Sequence, residues 1–171
     1  QKLLTRGIGH TKFKKVKTSF GKELEIPEEW QFTKLGSIIT LQRGHDLPSH
    51  QRKDGKFPIA GSNGIVGFHD KCSTKGPGVV IGRSGSTGKV FFIERDYWAL
   101  NTSLYVKQFH SSFPKFVYYL LQTINYEQFG AGATVPTLNR NDLHPFKIPY
   151  PKQIEEQEQI ASILSNVDTQ I

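Results

Sequence analysis

Residues 79 to 93 read VVIGRSGSTGKVFFI: an apolar run, a glycine-rich loop carrying a lysine, and a second apolar run. Such a loop could cradle a nucleotide phosphate, but that chemistry needs G-x-x-x-x-G-K-[ST] between a strand and a helix. Arg83 stands where the first glycine would be, and Val90 follows Gly88 and Lys89 where a magnesium-binding hydroxyl would be. The residues from Lys89 to Ile93 are aromatic and β-branched, so a strand is expected after the loop. A helix, whose free N–H groups would hold the phosphates, is not. The spacing therefore predicts strand, tight turn, strand, with Arg83, Ser84, Ser86, Thr87 and Lys89 as hydrogen-bonding groups at the turn.

Other spacings point to other chemistry. Asp46 with Asp54 and Lys56 resembles an acid followed by D-x-K, in which two carboxylates hold magnesium and the lysine faces developing charge, as a metal-dependent nuclease requires. The stretch from Lys53 to Lys56 is equally an Asp-Gly turn, and that is the favoured reading. His69, Asp70 and Cys72 are zinc-ligand types, but a structural zinc site takes four ligands and no second pair is evident. No G-x-S-x-G elbow marks a serine nucleophile.

A denser set of donors and acceptors lies in one basic, polar stretch: Arg43, His45, His50, Gln51, Arg52 and Lys53. These side chains suit contacts to base edges and phosphates. Arg83 could grip a guanine edge or a phosphate; bracing its own hairpin, or a phosphate contact, is favoured over base reading. Thr134, Thr137, Asn139 and Arg140 form a second polar cluster suited to a nucleic-acid backbone, although Asn139 and Asn141 also suit turns. Trp30, Trp98 and Tyr105 are expected in the core.

The elements that must position these groups follow from period and punctuation. Residues 1–25 are basic, with no acid before Glu23, and are expected to be an extended, partly disordered lead-in. From Ile26 to about residue 110, short apolar stretches alternate with glycine turns, as in a twisted, mostly antiparallel sheet. GSNGIVGF (61–68) and GSTGKVFF (85–92) look like one hairpin device used twice. Val117, Leu120, Leu121 and Ile124 then repeat at helical spacing after Pro114, which predicts a helix packed on the sheet. The last stretch, from Gln153, places Ile160, Leu164, Val167 and Ile171 four and three residues apart, as in the start of a coiled coil; packing on its own domain is the alternative.

At 171 residues the chain suits one domain of the α+β class, divided as a lead-in (1–25), a recognition body (26–151) and the start of a helix (152–171). No apolar run approaches the length of a membrane span, and the single Cys72 forms no internal disulfide, so a cytoplasmic protein is expected. Net charge is +7, but the four acids after Gln153 leave residues 1–152 with 22 basic against 11 acidic side chains. A basic body suits a polyanion, and an acidic helix suits a second kind of partner.

Several stretches, in order, carry a family resemblance: Ile26 to Trp30 (IPEEW), Pro58 to Gly64 (PIAGSNG), Ile81 to Gly85 (IGRSG) with Gly88, Asn101 to Val106 (NTSLYV), Gly130 to Asn139 (GAGATVPTLN), and Pro149 to Pro151 (PYP) followed by EQEQIA at 156–161. Together they resemble one target recognition domain of a type I restriction–modification specificity subunit, from Leu3 onward. The resemblance implies a β subdomain with a following α+β part, and sequence-specific reading of double-stranded DNA without catalysis. It implies methyltransferase subunits and, through them, a restriction subunit as partners, with S-adenosylmethionine, ATP and magnesium used by those partners and none held by this chain. The residues nearest a DNA-amino-methyltransferase tetrapeptide, Ile148 to Pro151, lack the amide or acid that holds the target amine. A full subunit of this kind has two such domains and this chain has one, so it resembles either the second domain of a longer subunit or a natural half that pairs with a mate.

Overall fold

The computed structural model describes residues 2–129 and 137–169. The chain opens with a short helix, α1 (Leu3–Arg6), and a hairpin of β1 (Phe13–Lys17) and β2 (Glu23–Pro27). β3 (Gln31–Lys34) runs into a helical turn, α2 (Leu35–Ile38), and then β4 (Thr40–Arg43). Two hairpins follow, β5 (Phe57–Gly61) with β6 (Gly64–His69), and β7 (Gly78–Gly82) with β8 (Val90–Ile93). After them come β9 (Trp98–Ala99), β10 (Ser103–Gln108), α3 (Pro114–Gln122), α4 (Arg140–Leu143), β11 (Lys147–Tyr150) and α5 (Ile154–Asp168).

The centre is a four-stranded antiparallel sheet in the order β4-β10-β7-β8. A three-stranded sheet, β6-β5-β9, joins one antiparallel and one parallel pairing, and β11 pairs with β3. β7 explains its own composition. Successive side chains of a strand point to opposite faces. Val79 and Ile81 enter the main core with α3, while Val80 enters a second core with Ala60, Tyr97, Ala99 and Tyr105. A strand covered on both faces has no polar face, which is why the run before Arg83 is apolar throughout. The chain is thus an α+β fold of mostly antiparallel sheets, and both expected hairpins are present.

The basic lead-in departs from expectation, because it is folded. Leu4 is buried in the main core, Val16 and Leu24 pack against it, and Lys15 and Lys17 stand opposite Glu25 and Glu23 across the β1–β2 hairpin. Acids beyond residue 22 meet the lysines before them, which local composition does not reveal. The segment is also tied to α5. Glu156 accepts the Ile8 N–H at 3.3 Å and the Trp30 indole N–H at 3.1 Å, and lies 2.7 Å from His10 Nε2.

α3 begins at Pro114 as its sequence predicts, and buries Phe116, Val117, Leu120 and Leu121 against the sheet and α5. α5 divides along its length. Gln157, Ile160 and Ala161 are buried on the domain, Leu164 is half-buried, and Ile163 and Val167 are 41 % and 48 % exposed. Its first half therefore packs on its own domain and its second half keeps an uncovered apolar face. Ile171, the last residue of the expected seam, lies outside the described residues, as do Thr134 and the glycine-rich stretch 130–136.

One histidine gives the fold a pH dependence. His144 Nε2 accepts the Leu41 N–H at 3.0 Å, so the ring is in its neutral form. Desolvation, reinforced by the Arg140 guanidinium, holds its pKa below the usual imidazole range. The unfolded chain takes up that proton near pH 6.5, before the folded one does. Stability is therefore full above about pH 7 and falls as pH drops toward the depressed folded value. Melting curves between pH 8 and pH 5 should show a declining midpoint. His144→Gln, whose carbonyl can still accept the Leu41 N–H, should flatten that decline; an unchanged profile would assign the effect elsewhere.

Candidate nucleic-acid interface

The end of β4 presents the first part of the site. Beyond Arg43 the chain leaves the sheet and is pinned by backbone bonds: Gly44 N–H to Ser103 O at 3.0 Å, His45 N–H to Ala99 O at 2.8 Å, and Asn101 N–H to His45 O at 3.0 Å. A Cβ at residue 44 would collide with the Leu100 carbonyl, so the crossing requires glycine. Arg43 and His45 thus project, exposed, from a fixed stretch of backbone.

The glycine loop after β7 presents the second part. Gly82 N–H bonds Lys89 O and Gly88 N–H bonds Gly82 O, each at 2.8 Å, which closes the turn. A Cβ on Gly82 would collide with the carbonyl of Ser86, so no other residue fits there. Arg83 N–H reaches Thr102 O at 2.9 Å, and its guanidinium lies 3.4 Å from Asn101 O, a contact to the segment between β9 and β10 rather than to its own hairpin. Its own carbonyl accepts the Leu138 N–H at 2.9 Å, and Ser84 forms a bridge with Thr137. The loop thereby docks the chain entering α4. The Asn139 side chain accepts the Asn141 N–H at 2.9 Å and caps that helix, its expected turn role, and Arg140 follows exposed.

These three pieces surround one open cleft of about 510 Å³, lined by Arg43, His45, Arg83, Asn139 and Arg140 together with Gln42. Three guanidiniums and an imidazole make its character cationic and rich in donors. Residues from positions 42–45, 83 and 138–140 meet there because backbone bonds join β4, the glycine loop and the segment before α4.

The other expected contacts lie outside this cleft. His50, Gln51, Arg52 and Lys53 occupy the loop from β4 to β5, with a single 3-10 turn at Ser49–Gln51. Arg52 Nε–H donates to Leu47 O at 3.3 Å, and the Lys53 N–H donates to His69 Nδ1 at 3.1 Å, so the base of this loop is tied down while its side chains remain largely accessible. Lys89 sits on the far side of the glycine loop, where Nζ donates to Asn63 Oδ1, and borders a separate cleft with Ser86 and Tyr126. Ser84 is half-buried beside Arg83. Among the aromatics, Trp30 and Tyr105 are buried as expected. Trp98 is half-exposed, with its ring 6.2 Å from His45 and 5.4 Å from His69.

Two of the nuclease-like trio are otherwise engaged. Asp46 faces Asn101 and Arg43, and Lys56 lies over the Phe57 ring. His69 is buried, and among the described residues no group of three or more His, Cys, Asp or Glu side chains converges as a metal site. Gln42, and the contacts of Asn101, escape a sequence reading. Gln42 looks like any strand residue. Asn101 has three roles at once: its N–H holds His45, its carbonyl holds Arg83, and its side chain donates to Asp46.

The type I restriction modification DNA specificity domain matches residues 27–171. A Mycoplasma pneumoniae protein assigned as a type I specificity subunit is 29 % identical over 155 residues, covering 87 % of this chain and 41 % of its own length. Among solved structures, the specificity subunit of a type I restriction-modification system from M. genitalium matches with a TM-score of 0.71 and 24 % identity, over 82 % of this chain and 39 % of that one. The HsdS subunit of Thermoanaerobacter tengcongensis matches with a TM-score of 0.64 and 18 % identity, over 85 % of this chain and 39 % of that one. The chain spans about two fifths of the length of these relatives. With the family match extending from the end of β2 through α5, this chain belongs to the type I restriction modification DNA specificity domain family.

Proposed function

We propose that this chain is a target recognition domain that reads one part of a double-stranded DNA target for a type I restriction–modification complex and carries out no chemistry itself. The observation that carries this reading is the gathering of Arg43, His45, Arg83, Asn139 and Arg140 on one open cleft. Arginine and histidine at a groove-facing cleft supply both phosphate contacts, which set register and affinity, and base-edge contacts, which set sequence. His50, Gln51, Arg52 and Lys53 then serve as a flanking loop, and Lys89 as a phosphate contact beyond the glycine turn. Methyl transfer and cleavage, with their S-adenosylmethionine, ATP and magnesium, fall to partner subunits in the cytoplasm. The uncovered face of α5 at Ile163 and Val167 supports a helical partner, which would come from a second recognition domain, in the same chain or in a dimer mate, or from a methyltransferase subunit.

The test is a salt titration of duplex binding by the full chain. With Arg83, Arg140 and Lys89 on phosphates, the slope of log affinity against log salt should be about −2.7, a loss of roughly 40-fold between 50 and 200 mM. A flat response would remove phosphate-led binding and the proposal with it.

A further inference from the structure

One charge in the reading site has the wrong sign for DNA. Asp46, 69 % exposed, stands beside the cleft residue Arg43, with Oδ1 3.6 Å from a guanidinium nitrogen of that arginine, itself 54 % exposed. A carboxylate so placed repels phosphate and weakens sequence-independent binding. The structure nevertheless holds it firmly. The Asn101 side-chain amide donates to Asp46 Oδ1, while the Asn101 N–H donates to His45 O at 3.0 Å and the Asn101 carbonyl lies 3.4 Å from the Arg83 guanidinium. One asparagine thus fixes the acid beside Arg43 and, through its backbone, braces the second arginine of the cleft.

We infer that Asp46 is a positioning residue for DNA reading. Held by Asn101, it orients the Arg43 guanidinium toward a base edge and keeps that arginine from settling on any nearby phosphate. An arginine side chain free to rotate satisfies itself on the backbone, which is present at every sequence. One anchored by a carboxylate keeps its planar fork aimed, and aim is what a two-bond contact to guanine requires. The acid therefore lowers affinity for arbitrary duplex and raises discrimination between sequences. This inference rests on the DNA-reading function proposed above, and it gives Asp46 a role unrelated to metal binding.

The experiment uses the full chain and three proteins: wild type, Asp46→Ala and Asn101→Ala. Each is put through selection from a duplex pool randomised over the target length, and through salt titration on a non-selected duplex. For Asp46→Ala, preference at one base pair should fall at least about tenfold. Binding to the non-selected duplex should tighten about threefold, with a slope steeper by about one as Arg43 takes a phosphate. Asn101→Ala leaves the acid in place but unanchored, so preference should fall at the same base pair while the slope stays at the wild-type value. Circular dichroism confirms that both variants are folded. Wild-type selectivity in Asp46→Ala, or a uniform loss of binding with an unchanged slope, would overturn the positioning role while the DNA-reading function stands. Absence of duplex binding by the wild-type chain would overturn both.

Discussion

Arg43→Ala is expected to weaken binding to a selected duplex by roughly 10- to 100-fold, or about 1–3 kcal/mol, and to erase preference at one base pair. Arg52→Ala should change the same affinity by less than about threefold. The two arginines stand in one polar stretch, and from the sequence they are equal candidates. The structure separates them. Arg43 ends β4, lines the cleft and has the Asp46 carboxylate 3.6 Å away. Arg52 donates to Leu47 O and lines no part of that cleft. Lys12→Ala provides the baseline, since Lys12 precedes β1 and lines no part of the cleft. It should reduce the salt slope by no more than about one and leave sequence preference intact. Selection from a randomised pool, paired with titration on the winning and losing duplexes, measures both quantities. Equal, sequence-independent weakening by Arg43→Ala and Arg52→Ala would show that the cleft does not read bases.

The elements were legible in the sequence wherever local pattern decides them. Pro114 and the apolar spacing after it announce α3, and the glycine spacing around Arg83 announces a hairpin and excludes a phosphate loop. The lead-in was illegible because its order is tertiary. Lysines read as disordered until Glu23 and Glu25 are seen across the hairpin, and until Glu156, nearly 150 residues later, is seen holding Ile8 and His10. The site was legible in its residue types but not in its grouping. Arg83 and Asn139 join Arg43 only because the Arg83 carbonyl accepts the Leu138 N–H and the β4 extension crosses onto the segment that leads into β10. Asn101 opens one of the stretches that carry the family resemblance, but its role emerges only from its hydrogen bonds, since its side chain, N–H and carbonyl each serve a different part of the site.

The largest loss of stability should follow Gln157→Leu. The side chain is fully buried, and each of its polar atoms has a partner: Oε1 accepts the Phe113 N–H at 2.8 Å at the start of α3, and Nε2 donates to Tyr150 Oη at 2.9 Å and to Pro151 O at 2.8 Å. Tyr150 Oη in turn lies 3.0 Å from Ser112 Oγ, which donates to Ile38 O. Leucine fills the same space and satisfies none of these groups, so the half-buried Phe113 N–H and the buried Pro151 carbonyl each lose a partner at about 1–3 kcal/mol. A total near 4 kcal/mol would lower the melting midpoint by roughly 8–16 °C for a chain of this size. Glu156→Gln, one residue earlier, should cost less, about 1–3 kcal/mol, because one oxygen still accepts from the Trp30 indole while the amide nitrogen replaces the oxygen that met Ile8 and His10. The contrast bears on function as well as stability. Gln157 is the point at which α5 is locked to α3 and β11, so it sets the direction in which the helix carries Ile163 and Val167 away from the reading cleft. If those residues dock a partner helix, loosening Gln157 should weaken assembly at temperatures where the domain is still folded and still binds duplex. A Gln157→Leu chain that melts within about 2 °C of wild type would refute the anchoring role.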